Sequence, residues 1–256
     1  MKSRFHRLER LARHTAFALI VAAAAVSVGA PTLSAANNLK LDHFWCYIVS
    51  SQTPQASPTV IVQDQFQTAT VSVGEPLQFC NPVQKTIGSV VTPIVDITDH
   101  LTMYNLTTAA PLPTPQTLIA TNQFGDTQFT VDKATTIMLP TEKNNLGFPT
   151  GLDHYLCYPV NGPSVGQKAT LTDQFQTKNV TVTKPAFFCN PVAKTFGGTT
   201  TRIQNASAHL VCYNLRLKQS TNSRDVNILN QFETDIFTLT TTQLLCAPST
   251  KTLVSP

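Results

Sequence analysis

The chain has 256 residues, of which 42% are hydrophobic, 8% aromatic and 12% charged, about half the charged fraction of ~25% usual in soluble proteins. That excludes a coiled coil and a charge-rich disordered chain, while 17 prolines and 10 glycines favour short strands and turns over long helices. The formal net charge of +4 comes from the N-terminus, because five of the 18 basic and one of the 14 acidic residues lie in residues 1–36. The remainder is neutral, with no basic cluster to attract a phosphate backbone, so nucleic acid is not an expected partner.

In chain order, Lys2, Arg4, Arg7, Arg10 and Arg13 precede an uncharged apolar run from Ala16 to Val28, followed by the small residues Ser34-Ala35-Ala36. This is the pattern of a secretory signal peptide, 1–36, with the cut after Ala36. The run is shorter than the ~18 residues that span a bilayer, so no membrane span is expected after leader cleavage. The expected location is secreted or periplasmic.

Four repeats follow. His43-Phe44-Trp45-Cys46-Tyr47 returns as His100-Leu101-Thr102-Met103-Tyr104, His154-Tyr155-Leu156-Cys157-Tyr158 and His209-Leu210-Val211-Cys212-Tyr213. Each copy continues with Asp64-Gln65-Phe66, Asn122-Gln123-Phe124, Asp173-Gln174-Phe175 or Asn230-Gln231-Phe232, and closes with Pro82 and Lys85, Pro140 and Lys143, Pro191 and Lys194, or Pro248 and Lys251. Units one and three share Leu-Asp-His, Asp-Gln-Phe-Gln-Thr and Phe-Cys-Asn-Pro-Val; units two and four share Tyr-Asn and Asn-Gln-Phe. The A-B-A-B order implies a half-unit doubled twice.

Period-two alternation marks half-buried strands, as at Val71 and Val73, Phe129 and Val131, Val180 and Val182, and Phe237 and Leu239. Four strands are expected per unit, with exposed loops at Ser51–Pro58 and Ala110–Gln116. The expected fold is all-β: two tandem β-sandwich or small-barrel domains, 37–149 and 150–256, each a pseudo-twofold pair of four-stranded repeats.

Six cysteines allow fifteen pairings, and the repeats choose among them. Units one, three and four each hold one cysteine in the first motif and one in the last, whereas unit two has Met103 and Met138 at both places. Joint loss of both partners implies Cys46 with Cys80, Cys157 with Cys189 and Cys212 with Cys246. Loops of this length are worth roughly 3.5 to 4 kcal/mol each in the chain-entropy model. No Cys-x-x-Cys element points to zinc or redox chemistry.

His43, His100, His154 and His209 are candidate metal ligands or general bases, but one per unit at one place is the signature of a residue that maintains the fold. On the same reasoning the four Gln-Phe dipeptides read as turn and core residues and the closing lysines as solvated. Copy-specific residues are better ligand-binding candidates: Trp45, the only tryptophan, and Tyr155. No nucleophile elbow, zinc motif, phosphate loop or calcium loop is present, so neither a catalytic residue nor a cofactor is expected.

The set His-x-x-Cys-Tyr, Asp-Gln-Phe and Cys-Asn-Pro-Val-x-Lys, in tandem after a leader, resembles an uncharacterised family of secreted, mostly bacterial tandem-repeat domains, a domain of unknown function. The resemblance implies an extracytoplasmic setting and carries no catalytic residue; unit two departs from it by lacking the cysteines. The expected role is a non-enzymatic structural or binding module, with a polysaccharide or another extracytoplasmic protein as partner. The alternatives are a carbohydrate-binding protein with Trp45 and tyrosines as platform, and a hydrolase using copy-specific carboxylates.

Overall fold

The computed structural model describes residues 39–53, 57–219 and 222–254. The leader and the cut after Ala36 lie outside the described residues. Unit one contains β1 (Phe44–Ser51), β2 (Thr59–Gln63), β3 (Thr68–Pro82), β4 (Gln84–Ile87) and β5 (Val90–Thr92). Unit two contains β6 (Leu101–Asn122), β7 (Gly125–Pro140) and β8 (Glu142–Lys143). Unit three contains β9 (His154–Pro159), β10 (Gln167–Thr172), β11 (Thr177–Phe196) and β12 (Thr199–Thr201), and unit four β13 (His209–Arg216), β14 (Arg224–Leu229) and β15 (Thr234–Leu253).

The third and fourth strands expected in each unit are one long strand. Around Pro76 and Pro185 the register shifts where β3 meets β6 and β11 meets β13, yet the strands continue. A proline costs one ladder bond and bends the strand at a bulge without ending it. Residues Ala110–Gln116, expected as a loop, likewise lie inside β6, with register shifts on either side of Ala110 and Pro111.

Pairing is antiparallel throughout. Each unit's first strand pairs its own long strand: β1 with β3, β6 with β7, β9 with β11 and β13 with β15. Each long strand then pairs the next unit's first strand, β3 with β6, β7 with β9 and β11 with β13, and β15 returns to β1. The path of pairings is therefore closed. It crosses the junction at 147–151 through β7 and β9, so the halves 37–149 and 150–256 share one antiparallel sheet and neither closes on itself.

Period-two alternation gives this sheet two apolar faces. One gathers Phe44, Cys46, Cys80, Leu101, Met103, Met138, Tyr155, Cys157, Cys189, Leu210, Cys212 and Cys246 into a single cluster. The disulfides join Cys46 to Cys80, Cys157 to Cys189 and Cys212 to Cys246, each across directly opposed residues of neighbouring strands. Met103 opposes Met138 in the same register, so two thioethers occupy the fourth place. The other face holds the larger cluster around Trp45, Tyr104, Ile137, Tyr158, Phe188, Tyr213 and Leu245.

The hairpin arms cover that second face, each meeting the unit two places along the chain. Arm strand β10 of unit three pairs β4 of unit one, and arm strand β2 of unit one pairs the end of β11. Arm strand β14 of unit four pairs β8 of unit two, and the end of β15 pairs the arm portion of β6. Units one and three exchange arms, as do units two and four.

Candidate functional site

The Asp/Asn-Gln-Phe turn sits at the tip of each arm. Asp64 Oδ1 accepts from the amides of Phe66 and Gln67, Asp173 Oδ1 from Phe175 and Gln176, Asn230 Oδ1 from Phe232 and Glu233, and Asn122 Oδ1 from Phe124. The first side chain of the motif thus holds its own turn, which frees the glutamine. That corrects the expectation that the glutamine bonds the following turn at Gln123, Gln174 and Gln231. Gln123 instead accepts from Lys85 and contacts His43 Nε2 at 3.1 Å, Gln231 accepts from Lys194, and Gln174 donates to Asn81.

Each turn docks on the tyrosine of the unit it faces. Tyr47 donates to Asp173 Oδ2 at 2.7 Å and Tyr158 to Asp64 Oδ2 at 2.8 Å. In the other pair the turn residue is the donor: Asn230 Nδ2 lies 2.6 Å from the Tyr104 hydroxyl and Asn122 Nδ2 3.0 Å from that of Tyr213. Tyr104 in turn donates a hydrogen bond to Glu233 Oε1 at 2.5 Å. Phe66, Phe124, Phe175 and Phe232 lie edge-on to Tyr158, Tyr213, Tyr47 and Tyr104, with centroids 5.0 to 5.8 Å apart, within the favoured range for such pairs.

Three of the closing lysines are not solvated, and Lys251 is half-buried. Lys85 is 3% exposed, Lys143 0% and Lys194 1%, because the facing arm covers the strand that carries them. Lys143 Nζ stands 5.2 Å over the Phe175 ring, Lys194 4.8 Å over Phe232 and Lys251 4.3 Å over Phe66. Burial lowers all four amines to about 8; for Lys143 and Lys251 the charges of Asp173 and Asp64 oppose that shift. Lys143 donates to Asn81 Oδ1 at 3.1 Å and Lys251 to Asn190 Oδ1 at 2.7 Å.

The four histidines lie beside these lysines, buried at 0 to 5% exposure. Burial, then the neighbouring lysine charge, lowers each imidazole to about 3. His100 Nδ1 meets the Thr98 carbonyl at 2.9 Å, whereas His43 meets a side chain of the next unit. Among the described residues no group of three or more His, Cys, Asp and Glu could hold a metal ion.

Trp45 and Tyr155, singled out as a binding platform, are 0% and 1% exposed. Trp45 packs against Tyr47 with centroids 5.7 Å apart, and Tyr155 belongs to the disulfide-bearing cluster. Alternation turns both rings into the sheet's apolar faces, so neither offers a surface for stacking.

A family model described as a repeat of unknown function (DUF7450) matches residues 4–133 and 100–248. The chain belongs to that family. Two copies of the DUF7450 repeat cover nearly all of it, and the three disulfides suit an oxidising, extracellular environment. No curated protein and no solved structure matches the chain.

One difference between units one and three lies at the surface of this DUF7450 protein. Beside Lys85 is a cavity of about 440 Å³ lined by Ile87, Val90, Thr121, Gln123, Asp126 and Gln167 among others. In unit three, Phe196 stands where Ile87 stands in unit one, and it packs edge-on to Phe232 at 5.3 Å. The adjoining segment exposes Val90, Val91, Val95 and Ile97 at 45, 53, 61 and 68%. Its unit-three counterparts are Thr199, Thr200, Gln204 and Ala206. Both segments are pinned alike: Asp42 accepts from the amides of Val95 and Asp96, and Asp153 from those of Gln204 and Asn205. The backbone is shared and the side chains are not. No pattern of spacing marks this patch; comparing the segments after Lys85 and Lys194 residue by residue would have found it.

Proposed function

We propose that the chain is an exported, disulfide-stapled, non-enzymatic binding module that grips another extracytoplasmic protein through the apolar segment Val90–Ile97. The observation that carries this reading is the division of labour between residues. The tyrosines, turn phenylalanines, lysines and histidines present in all four units are engaged inside the fold, while the three most exposed large aliphatic side chains, Ile97, Val95 and Val91, lie together with Val90 on one copy-specific segment. Exposed apolar side chains clustered on one segment mark interaction sites, and a segment that carries aliphatic side chains and no aromatic ring favours a protein partner over a polysaccharide. In architecture, the closed path of eight strand pairings is a small barrel built jointly by the four units, with the three disulfides and two methionines filling its interior. The resemblance to secreted bacterial repeats supports an extracytoplasmic location.

The test uses the exported protein and a variant carrying the unit-three residues, Val90→Thr, Val91→Thr, Val95→Gln and Ile97→Ala. Both are immobilised and exposed to the extracytoplasmic proteins of the producing cell and, separately, to a polysaccharide panel. The expected result is a protein held by the parent and released by the folded variant. Equal retention of proteins by both, or retention on polysaccharides alone, would overturn the reading.

A further inference from the structure

We propose that Lys143 and Asn81, and Lys251 and Asn190, form intramolecular isopeptide bonds, with Asp173 and Asp64 as the catalytic carboxylates. Each site brings together a lysine amine, buried at Lys143 and half-buried at Lys251, a primary amide and a carboxylate from three different units. At the first, Lys143 Nζ lies 3.1 Å from Asn81 Oδ1, and Asn81 Nδ2 lies 3.1 Å from Asp173 Oδ2. At the second the corresponding distances are 2.7 Å, Lys251 to Asn190, and 2.9 Å, Asn190 to Asp64. Asn81 and Asn190 are 0% and 1% exposed, so bulk water does not compete for the carbonyl carbon.

The arrangement meets the requirements of transamidation without an external reagent. The unprotonated Lys Nζ adds its lone pair to the asparagine Cγ, forming the new C–N bond. The carboxylate takes a proton from that nitrogen and passes it to Nδ2, with which it already shares a hydrogen bond. The Cγ–Nδ2 bond then breaks and ammonia leaves, so amine plus primary amide becomes secondary amide plus ammonia with no change of oxidation state. Gln174 Nε2 donates to Asn81 Oδ1 at 3.1 Å, where negative charge develops during addition. Burial keeps part of each lysine in the nucleophilic neutral form at physiological pH, its ammonium lowered to about 8. Phe175 and Phe66 lie under the two amines and limit their motion.

Units one and three supply the amides, and units two and four the amines. The converse pair lacks the chemistry: the residues equivalent to Asn81 and Asn190 are Leu139 and Ala247, and the turns facing Lys85 and Lys194 carry Asn122 and Asn230 in place of aspartate. Two bonds are expected, each locking neighbouring units of the ring together.

The test is intact mass of the exported, folded protein after reduction and denaturation, with peptide mapping. The expected mass is about 34 Da below that of the uncrosslinked chain, one ammonia per bond, with Asn81 and Asn190 peptides joined to those of Lys143 and Lys251. Lys143→Met returns one ammonia. Asp173→Asn keeps the turn, which asparagine already holds at Asn122 and Asn230, and also returns one ammonia while near-UV circular dichroism stays native. A folded parent with the full uncrosslinked mass would overturn the proposal, and loss of ammonia at Asn81 in the folded Asp173→Asn protein would overturn the role of the carboxylate.

Discussion

The hydroxyl of Tyr47 donates to Asp173 Oδ2 at 2.7 Å across 126 residues, and Tyr158 makes the equivalent contact to Asp64 at 2.8 Å. Two units thus hold each other by the same pair of residues in opposite directions, and the turn of one is the lid on the other's tyrosine. Tyr47→Phe removes a buried hydrogen bond to a charged acceptor and is expected to cost ~1.5 to 3 kcal/mol in urea unfolding, with Tyr158→Phe costing about the same. A much smaller loss in both would show that the turns do not dock through these hydroxyls.

Unit two offers a gain. Met103 and Met138 oppose each other where the other units have cystines, and both are buried. The double change Met103→Cys, Met138→Cys is expected to form a fourth disulfide and to raise stability by ~1 to 3 kcal/mol, less than the chain-entropy figure because two thioethers leave the core. Thiol titration of the denatured, unreduced protein reads the outcome, and two free thiols would contradict it.

Trp45 reports on the core. At 0% exposure its fluorescence should be blue-shifted and resist quenching by iodide. Trp45→Ala is expected to cost ~3 to 5 kcal/mol while leaving partner binding by the folded fraction unchanged. Ready quenching in the folded protein would instead restore Trp45 as a surface residue.

Acid should act through the histidines. Each ring has its pKa lowered from 6.5 to about 3 by burial. Between those values the unfolded chain binds protons that the folded chain refuses, so this contribution to stability is full above pH 6.5 and lost as pH falls toward 3. Asp99 and Glu233, raised to about 7 by burial, oppose it over part of that range. In NMR titration of the folded protein the four ring resonances should stay flat from pH 8 to about 4.5; a midpoint near 6.5 would place that histidine in solvent.

The four units, their A-B-A-B grouping, the alternating strands and the cysteine pairs were legible because each is a local pattern repeated in copies that can be compared. The partner of each turn was not, since it lies 91 to 129 residues away and four similar motifs suit one another chemically. The lysines misled for a related reason. Lysine is almost never fully buried unless paired, and nothing local to Lys143 announces the Phe175 ring and the Asn81 amide that enclose it. One signal was available: the copies with aspartate at the turn, Asp64 and Asp173, are those with Asn81 and Asn190 at the strand end. That shared alternation joins the residues that the fold brings into contact.

The strand pairings join the two halves at β7 with β9 and at β15 with β1, so the halves are expected to fold only together. Residues 37–149 and 150–256 should be expressed separately under oxidising conditions and followed by near-UV circular dichroism and urea unfolding, alone and mixed. Each half alone is expected to lack a cooperative transition, because Tyr47 and Tyr104 lose the turns at Asp173 and Asn230, and mixing is expected to restore a native spectrum. Cooperative unfolding of either half by itself would contradict that expectation.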